Sequence, residues 1–271
     1  MAFSIDFFLF GVKFGKHESQ NMRAICKIAL LGLALFLAGC AGKIQVNSEL
    51  SYEEKFNKAQ KLFNAGKYDQ ALEILSQIKL SPSIWADDAY LLSAKIHLKK
   101  KDYDNAIIEL NGLISQYRHS DLVEEARFLL AEAYRLRSPR AELDQTYTNN
   151  AINFYNQFLE LYPFSRFADS AKAGLSKCYE KLAKKLYLNA LLYYKSKHDS
   201  AAIVYINQIK NDENYSKTIW RYWAELLLAK IYYRNKKFDK ALSIINSIAS
   251  STDDKRLLKK VYALKNKIEN R

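Results

Sequence analysis

An all-α fold, a solenoid of about five helical hairpins with an extra long helix and a C-terminal capping helix, is predicted by three features of this 271-residue chain. Helix breakers are scarce: its three prolines are Pro82, Pro139 and Pro163. One short pattern recurs (aromatic, Asp, polar, Ala, aliphatic) at Tyr68-Asp69-Gln70-Ala71-Leu72, Tyr103-Asp104-Asn105-Ala106-Ile107 and Phe238-Asp239-Lys240-Ala241-Leu242. Twelve residues before each of those alanines stands another: Ala59, Ala94 and Ala229. A small residue on both helices of a hairpin lets them approach, and the aromatic fills the corner beneath their turn.

The N-terminus reads separately. Arg23 and Lys27 precede an apolar run from Ile28 to Ala38, about half the ~20 residues a membrane-spanning helix needs. These are the proportions of a secretory signal. Its end, Leu37-Ala38-Gly39-Cys40, resembles the bacterial lipobox, in which cleavage precedes the cysteine and the cysteine carries lipid. The expected division is therefore 1–21 as an upstream-start artefact or extended n-region, with translation from Met22. A lipoprotein signal follows over 22–39, then the lipidated Cys40 and a tether over 40–51. Removing the four basic and two acidic residues before Cys40 lowers the net charge from +13 to +11. The lysines are dispersed over many predicted helices, so the charge points to solubility and attraction to anionic headgroups rather than to nucleic acid. Cys26 leaves with the signal and Cys40 is acylated, so Cys178 has no disulfide partner and reads as a buried structural thiol.

The N-terminal repeats, one to three, occupy 52–165. Repeat one has Ala59 and Leu62 before Ala71, with Leu75 and Ile78 after. Repeat two has Ala94 and His97 before Ala106, with Leu110 and Leu113 after. Repeat three is stretched: Ala131 and Tyr134 end its first helix, and Ala151, Tyr155 and Phe158 belong to its second. Its alanines are 20 residues apart, which places an eight-residue insertion with Ser138-Pro139 within 135–148. Such an insertion is either a functional loop or a tolerated surface feature.

The C-terminal part, 166–271, opens with a single long helix over 167–195, on Ala168, Ala171, Leu175, Cys178, Leu182, Ala190 and Tyr193. Its second half is the first helix of repeat four, completed by Ala202, Ile206 and Ile209, with Asp199 at the corner instead of an aromatic. Repeat five follows with Ala229, Tyr232, Ala241, Ile245 and Ile248. Leu257, Leu258, Val261, Leu264 and Ile268 give the last helix one apolar face, as a solenoid cap requires.

The chain shows no His-Glu-x-x-His metal pair, Gly-rich phosphate loop or Gly-x-Ser-x-Gly elbow. Catalytic and metal-ligating residues are accordingly expected to be none, and the only cofactor is the covalent lipid on Cys40. His97 occupies a packing position, and Glu124 and Glu125 are adjacent, so they point to different azimuths of a helix. The expected chemistry is a groove lined by first helices. Threading the repeat puts Phe56, Phe63, Leu91, Phe128, Tyr187, Leu191, Tyr194, Trp223 and Tyr233 near it. Such a surface suits an extended or amphipathic protein segment.

The order of irregularities is more specific than any one repeat. Ser138-Pro139 is followed by Leu143-Asp144-Gln145-x-Tyr147-Thr148, Ala151-Ile152, Phe158 and Tyr162-Pro163-x-Ser165. Leu182-Ala183-Lys184, Tyr187, Ala190, Tyr193 and Ala201-Ala202-Ile203 continue it. From Tyr52 to Ser250 the chain resembles the BamD family, tetratricopeptide-repeat lipoproteins of the outer-membrane β-barrel assembly machinery. It departs from that pattern at Leu186, where the family usually has an acidic residue, and in repeats two, four and five, which lack the Tyr-Pro-x-Ser ending. The resemblance implies a non-enzymatic adaptor lipid-anchored on the periplasmic face of the outer membrane. Its C-terminal repeats would dock on a BamA-like barrel protein, and its N-terminal repeats would receive unfolded barrel proteins. The alternative is a lipid-anchored scaffold of another envelope complex, serving cell wall or transport.

Overall fold

The structure, a computed structural model, describes residues 50–270. The expected signal, Cys40 and most of the tether lie outside the described residues. The described part falls within one compact unit and contains eleven α-helices and one short 3-10 turn. The helices are α1 (Tyr52–Asn64), α2 (Tyr68–Lys79), α3 (Ala86–Lys99), α4 (Tyr103–Gln116), α5 (Val123–Arg137) and α6 (Thr146–Leu161). They continue with α7 (Ala168–Lys195), α8 (Asp199–Asn211), α9 (Ile219–Arg234), α10 (Phe238–Ala249) and α11 (Lys255–Glu269). The all-α repeat solenoid read from the sequence is therefore the fold observed.

The alanines behave as their spacing requires. Ala59 and Ala71, Ala94 and Ala106, Ala131 and Ala151, Ala190 and Ala202, and Ala229 and Ala241 are all fully buried. Each hairpin then buries larger side chains below them, such as Leu75 and Ile78 or Ile245 and Ile248. Every such side chain stabilises by about 1.5–3 kcal/mol. Ala131, Ala151, Tyr155, Phe158, Ala171 and Cys178 share one cluster, so the core is continuous across residue 165.

Four hairpin turns are built alike. Gly66, Lys101, Lys197 and Lys236 all have φ between 60° and 72°. The next amide reaches back five residues at 2.9 Å in each: Lys67 to Leu62, Asp102 to His97, His198 to Tyr193 and Lys237 to Tyr232. That bond satisfies a carbonyl which the helix end would otherwise leave open.

Two details differ from the sequence reading and one adds to it. Helix α5 runs to Arg137 and α6 begins at Thr146, so the irregular part of the insertion shrinks to 138–145. His97 is packed, its side chain only 13% exposed, but its Nδ1 also lies 3.2 Å from Asp102 and closes the hairpin turn. Tyr193 lies at the surface, stacked on Tyr205 at 5.6 Å. The long helix α7, at 28 residues, is as expected. Cys178 is buried against Tyr155 and Phe158, and burial pushes its thiol up to about 11.

Candidate partner-docking surfaces

The residues expected to line a groove divide into two sets. In the N-terminal half they are consumed by helix packing. Phe56 stacks on Trp85 at 5.3 Å, Phe63 tilts against Tyr68 at 5.9 Å, and Phe128 stacks on Phe167 at 4.9 Å. Leu91 is buried; it belongs to the core between α3, α4 and α5. In the C-terminal half, Leu191 packs beside the buried cluster of α8 and α9. Tyr194 is covered by the Arg234 guanidinium at 4.3 Å, and Tyr233 meets Phe238 edge-on at 5.9 Å.

Tyr187 and Trp223 also pack on core clusters, but the fold brings them together at a cleft. Tyr187 lies 5.3 Å from Trp220 and 6.3 Å from Trp223, so α7 and α9 present one aromatic group. Capping helix α11 forms the opposite wall. The resulting cleft has a volume of about 830 Å³ and includes Ile219, Arg256, Lys259 and Lys260. Lys184 sits over Trp220 and Lys260 over Trp223, each at 5.7 Å. Burial pushes the Tyr187 phenol up, so its hydroxyl stays neutral and can donate a hydrogen bond. Burial also lowers Lys230, with Lys260 and Lys267 adding repulsion, so the positive charges here are crowded. Asp254 also lines the cleft, but its carboxylate caps α11 by accepting from the Arg256 and Leu257 amides, so cations predominate around the apolar area, which suits an acidic segment carrying apolar or aromatic side chains.

Trp220, Ile219 and Lys260 were not singled out in the sequence. Trp220 was legible, since it precedes Trp223 by three residues and shares its helix face. Lys260 was not, because a lysine on a capping helix reads as solvated until the helix is placed.

The inserted loop closes the other side of Trp220. A second cleft of about 560 Å³ runs from Ser138–Glu142 along Lys177 and Lys181 to Lys184 and Trp220. The loop is tied down rather than free. Thr148 donates to Gln145 at 2.7 Å, and the Gln145 amide donates to the carbonyls of Arg140 and Leu143 at 2.9 and 3.1 Å. Lys181 donates to Ser138 Oγ at 2.9 Å and to its carbonyl at 3.2 Å, and Lys185 donates to the Leu143 carbonyl at 2.6 Å. Gln145 and Thr148 are buried. The Ser138 and Gln145–Thr148 signature therefore fixes the loop against α7. Burial lowers the Lys181 pKa, with Arg135 acting in the same direction. Both partners of this Ser-Lys pair are nonetheless engaged in holding the loop.

A buried polar knot sits beneath it. Tyr155 donates to Glu132, which also holds Arg135. Burial and Glu132 together raise the Tyr155 pKa, so the hydroxyl keeps its proton. Among the described residues no group of three or more His, Cys, Asp or Glu is placed to hold a metal, and no helix is long and apolar enough to cross a membrane.

The family model YfiO, described as outer membrane lipoprotein, matches residues 48–236. A relative from Caulobacter vibrioides, named outer membrane protein assembly factor BamD, is 24% identical over 188 residues, covering 67% of this chain and 61% of the relative. The match thus spans under two thirds of that relative's length. A Haemophilus influenzae protein of the same name is 21% identical over 188 residues, covering 65% of this chain and 72% of its own. Among solved structures, the tetratricopeptide-repeat protein TTC0263 of Thermus thermophilus is 16% identical with a TM-score of 0.34, over 79% of this chain and 98% of that one. A tetratricopeptide-repeat protein of Parabacteroides merdae gives 16% and 0.39, over 91% and 96%.

Proposed function

The chain belongs to the YfiO family of outer membrane lipoproteins, and from that membership we propose that it is a non-enzymatic adaptor in outer-membrane protein assembly. On this reading Cys40 carries the lipid, the protein is held at the periplasmic face of the outer membrane, and it docks on a BamA-like barrel protein. Unfolded barrel proteins are its clients, received through the N-terminal repeats. The relatives named as assembly factors support the role.

The observation that carries the docking reading is the cleft where Tyr187, Trp220 and Trp223 face Lys259 and Lys260. Aromatic anchors in a partly desolvated cleft are the usual centre of a binding hot spot. Cations at the rim steer an acidic partner and raise its on-rate. In the N-terminal half, by contrast, the residues named from the sequence are spent on packing, so client contacts would fall on other side chains.

The test is co-purification from detergent-solubilised native membranes. The wild-type chain should bring down a BamA-like barrel protein. Trp220→Ala combined with Trp223→Ala should reduce that yield at least tenfold, since hot-spot truncations cost about 2 kcal/mol or more. Helicity should be retained. Recovery of a different envelope complex, without a barrel protein, rejects the assembly reading. Undiminished recovery from the double variant rejects the cleft.

A further inference from the structure

The two edges of the solenoid differ in chemistry. One edge carries the hairpin turns, with Gly66, Lys101, Lys197 and Lys236 at their tips. The other carries the connections between repeats: α2 to α3, α4 to α5 and α6 to α7. These connections share a device. Ser83, Ser120 and Ser165 accept a hydrogen bond from the amide two residues on, at Trp85, Leu122 and Phe167. Ser120 then reaches back to Asp87 at 2.6 Å, and Ser165 reaches back to Glu124 at 2.5 Å, both in the first turn of the preceding repeat. The connections are thereby laced into one continuous edge.

That edge holds the three most exposed large apolar side chains among the described residues: Phe164 at 100%, Ile84 at 88% and Leu80 at 87%. Leu161, 56% exposed, stands beside Phe164. The lacing holds the loops, so these side chains are presented outward, little covered by the described residues. Single exposed apolar residues are ordinary. Here the three most exposed share one edge, whereas Ile108, Leu192 and Val204, which lie off it, are less exposed.

The N-terminus enters at this same edge. Ser51 caps α1, and Phe56, on the second turn of α1, stacks on Trp85 in the α2–α3 connection. Leu50, itself partly exposed, leads directly to the tether. Residues 40–49 span at most about 35 Å fully extended. A lipid on Cys40 therefore tethers the chain at this edge, within that reach of the bilayer, while the lysine tips lie about 20 Å further on, the length of 13-residue α1. We infer that the inter-repeat edge rests on the lipid surface, with Leu80, Ile84 and Phe164 dipping into the interfacial region, so that the anchor sets the orientation of the solenoid as well as its location. This rests on Cys40 being lipidated. One acyl chain alone gives marginal binding, so a second contact also lengthens residence.

The experiment uses the processed chain purified from membranes and returned to vesicles of phosphatidylethanolamine and phosphatidylglycerol. An environment-sensitive fluorophore is attached at Ile84→Cys, Phe164→Cys, and, away from the edge, Ile108→Cys and Leu192→Cys. Buried Cys178 leaves the introduced thiol as the reactive one. The expected result is blue-shifted emission, quenched by shallow spin-labelled lipid, at 84 and 164, with water-like emission at 108 and 192. Water-like emission at all four positions on floating vesicles overturns the edge while leaving the anchor intact. An N-terminal peptide without acyl mass on Cys40, or a protein that fails to float, overturns the anchor and the edge with it.

Discussion

Lys101, Lys197 and Lys236 each hold a backbone conformation that glycine adopts freely, as Gly66 does in the first hairpin. A β-carbon there costs about 1–2 kcal/mol, against about 0.5–1 kcal/mol that glycine loses in chain entropy. Lys101→Gly should therefore stabilise the protein by roughly 0.5–1 kcal/mol. Urea melts would show a higher midpoint at unchanged slope, and a lower midpoint would contradict the turn geometry. Gly174 illustrates the opposite constraint. A methyl group there would run into the Tyr155 hydroxyl and its ring carbon, and lie 2.9 Å from Glu132. Gly174→Ala should cost about 1–3 kcal/mol by overpacking, and less in a Tyr155→Leu background, where both the hydroxyl and the ring carbon that meet the new methyl are gone. A double-mutant cycle measures the difference; additive effects would reject the contact. Cys178 gives the pH prediction. Burial raises its folded-state pKa to about 11. Its contribution to stability is thus complete below the ordinary thiol value and lost as pH rises towards about 11. At pH 8 the folded protein should resist thiol reagents that label it at once in denaturant.

Helices and loops carry constraints that no single residue shows. Loop 138–145 is held to α7 through Lys181 and Lys185. Lys181→Met keeps most of the side-chain volume and removes the two hydrogen bonds to Ser138, which should cost about 1.5–3 kcal/mol as charge-assisted bonds. Hydrogen exchange should then quicken within 138–145 and stay slow in α2 and α4. Uniform quickening would mean that the loop is not a local unit. The fourth hairpin solves its missing corner aromatic differently. Asp199 is paired with Arg234 of the next repeat, and Asn235 donates to it at 2.9 Å. The irregular corner thus becomes a bond between repeats four and five, which a motif search could register only as a departure.

Across the whole molecule, stability follows nearest neighbours, as in other solenoids. Helix α11 buries Leu257, Val261, Leu264 and Ile268 against Ala241, Ile245 and Ile248 of α10. Ending the chain after Ser251 should expose that face, melting α9 and α10 first and leaving α1 to α4 protected. Hydrogen exchange reads the order, and simultaneous loss of protection throughout would contradict it. The same cap supplies Lys259 and Lys260 to the cleft, so truncation should weaken partner recovery as well as stability.

What the sequence by itself determined is everything that depends on local period. Alanines twelve apart, aromatics at turn corners and a single-faced last helix set the repeats, the long helix and the cap, because each is a constraint within about forty residues. The stretched third repeat was legible as a spacing, and its signature as a likeness, but not its purpose. That required Lys181 and Lys185, some forty residues away, to be brought against the loop. The candidate site divides in the same way. The aromatics of first helices were visible, yet whether each faces a neighbour or a partner depends on which helix lies opposite. Phe56, Phe128 and Leu91 are taken up by neighbours, whereas Tyr187 and Trp223, though also packed on core clusters, keep a face on the cleft that α11 walls with lysines. Only tertiary structure decided that, since burial is a property of what surrounds a side chain and not of the chain that carries it.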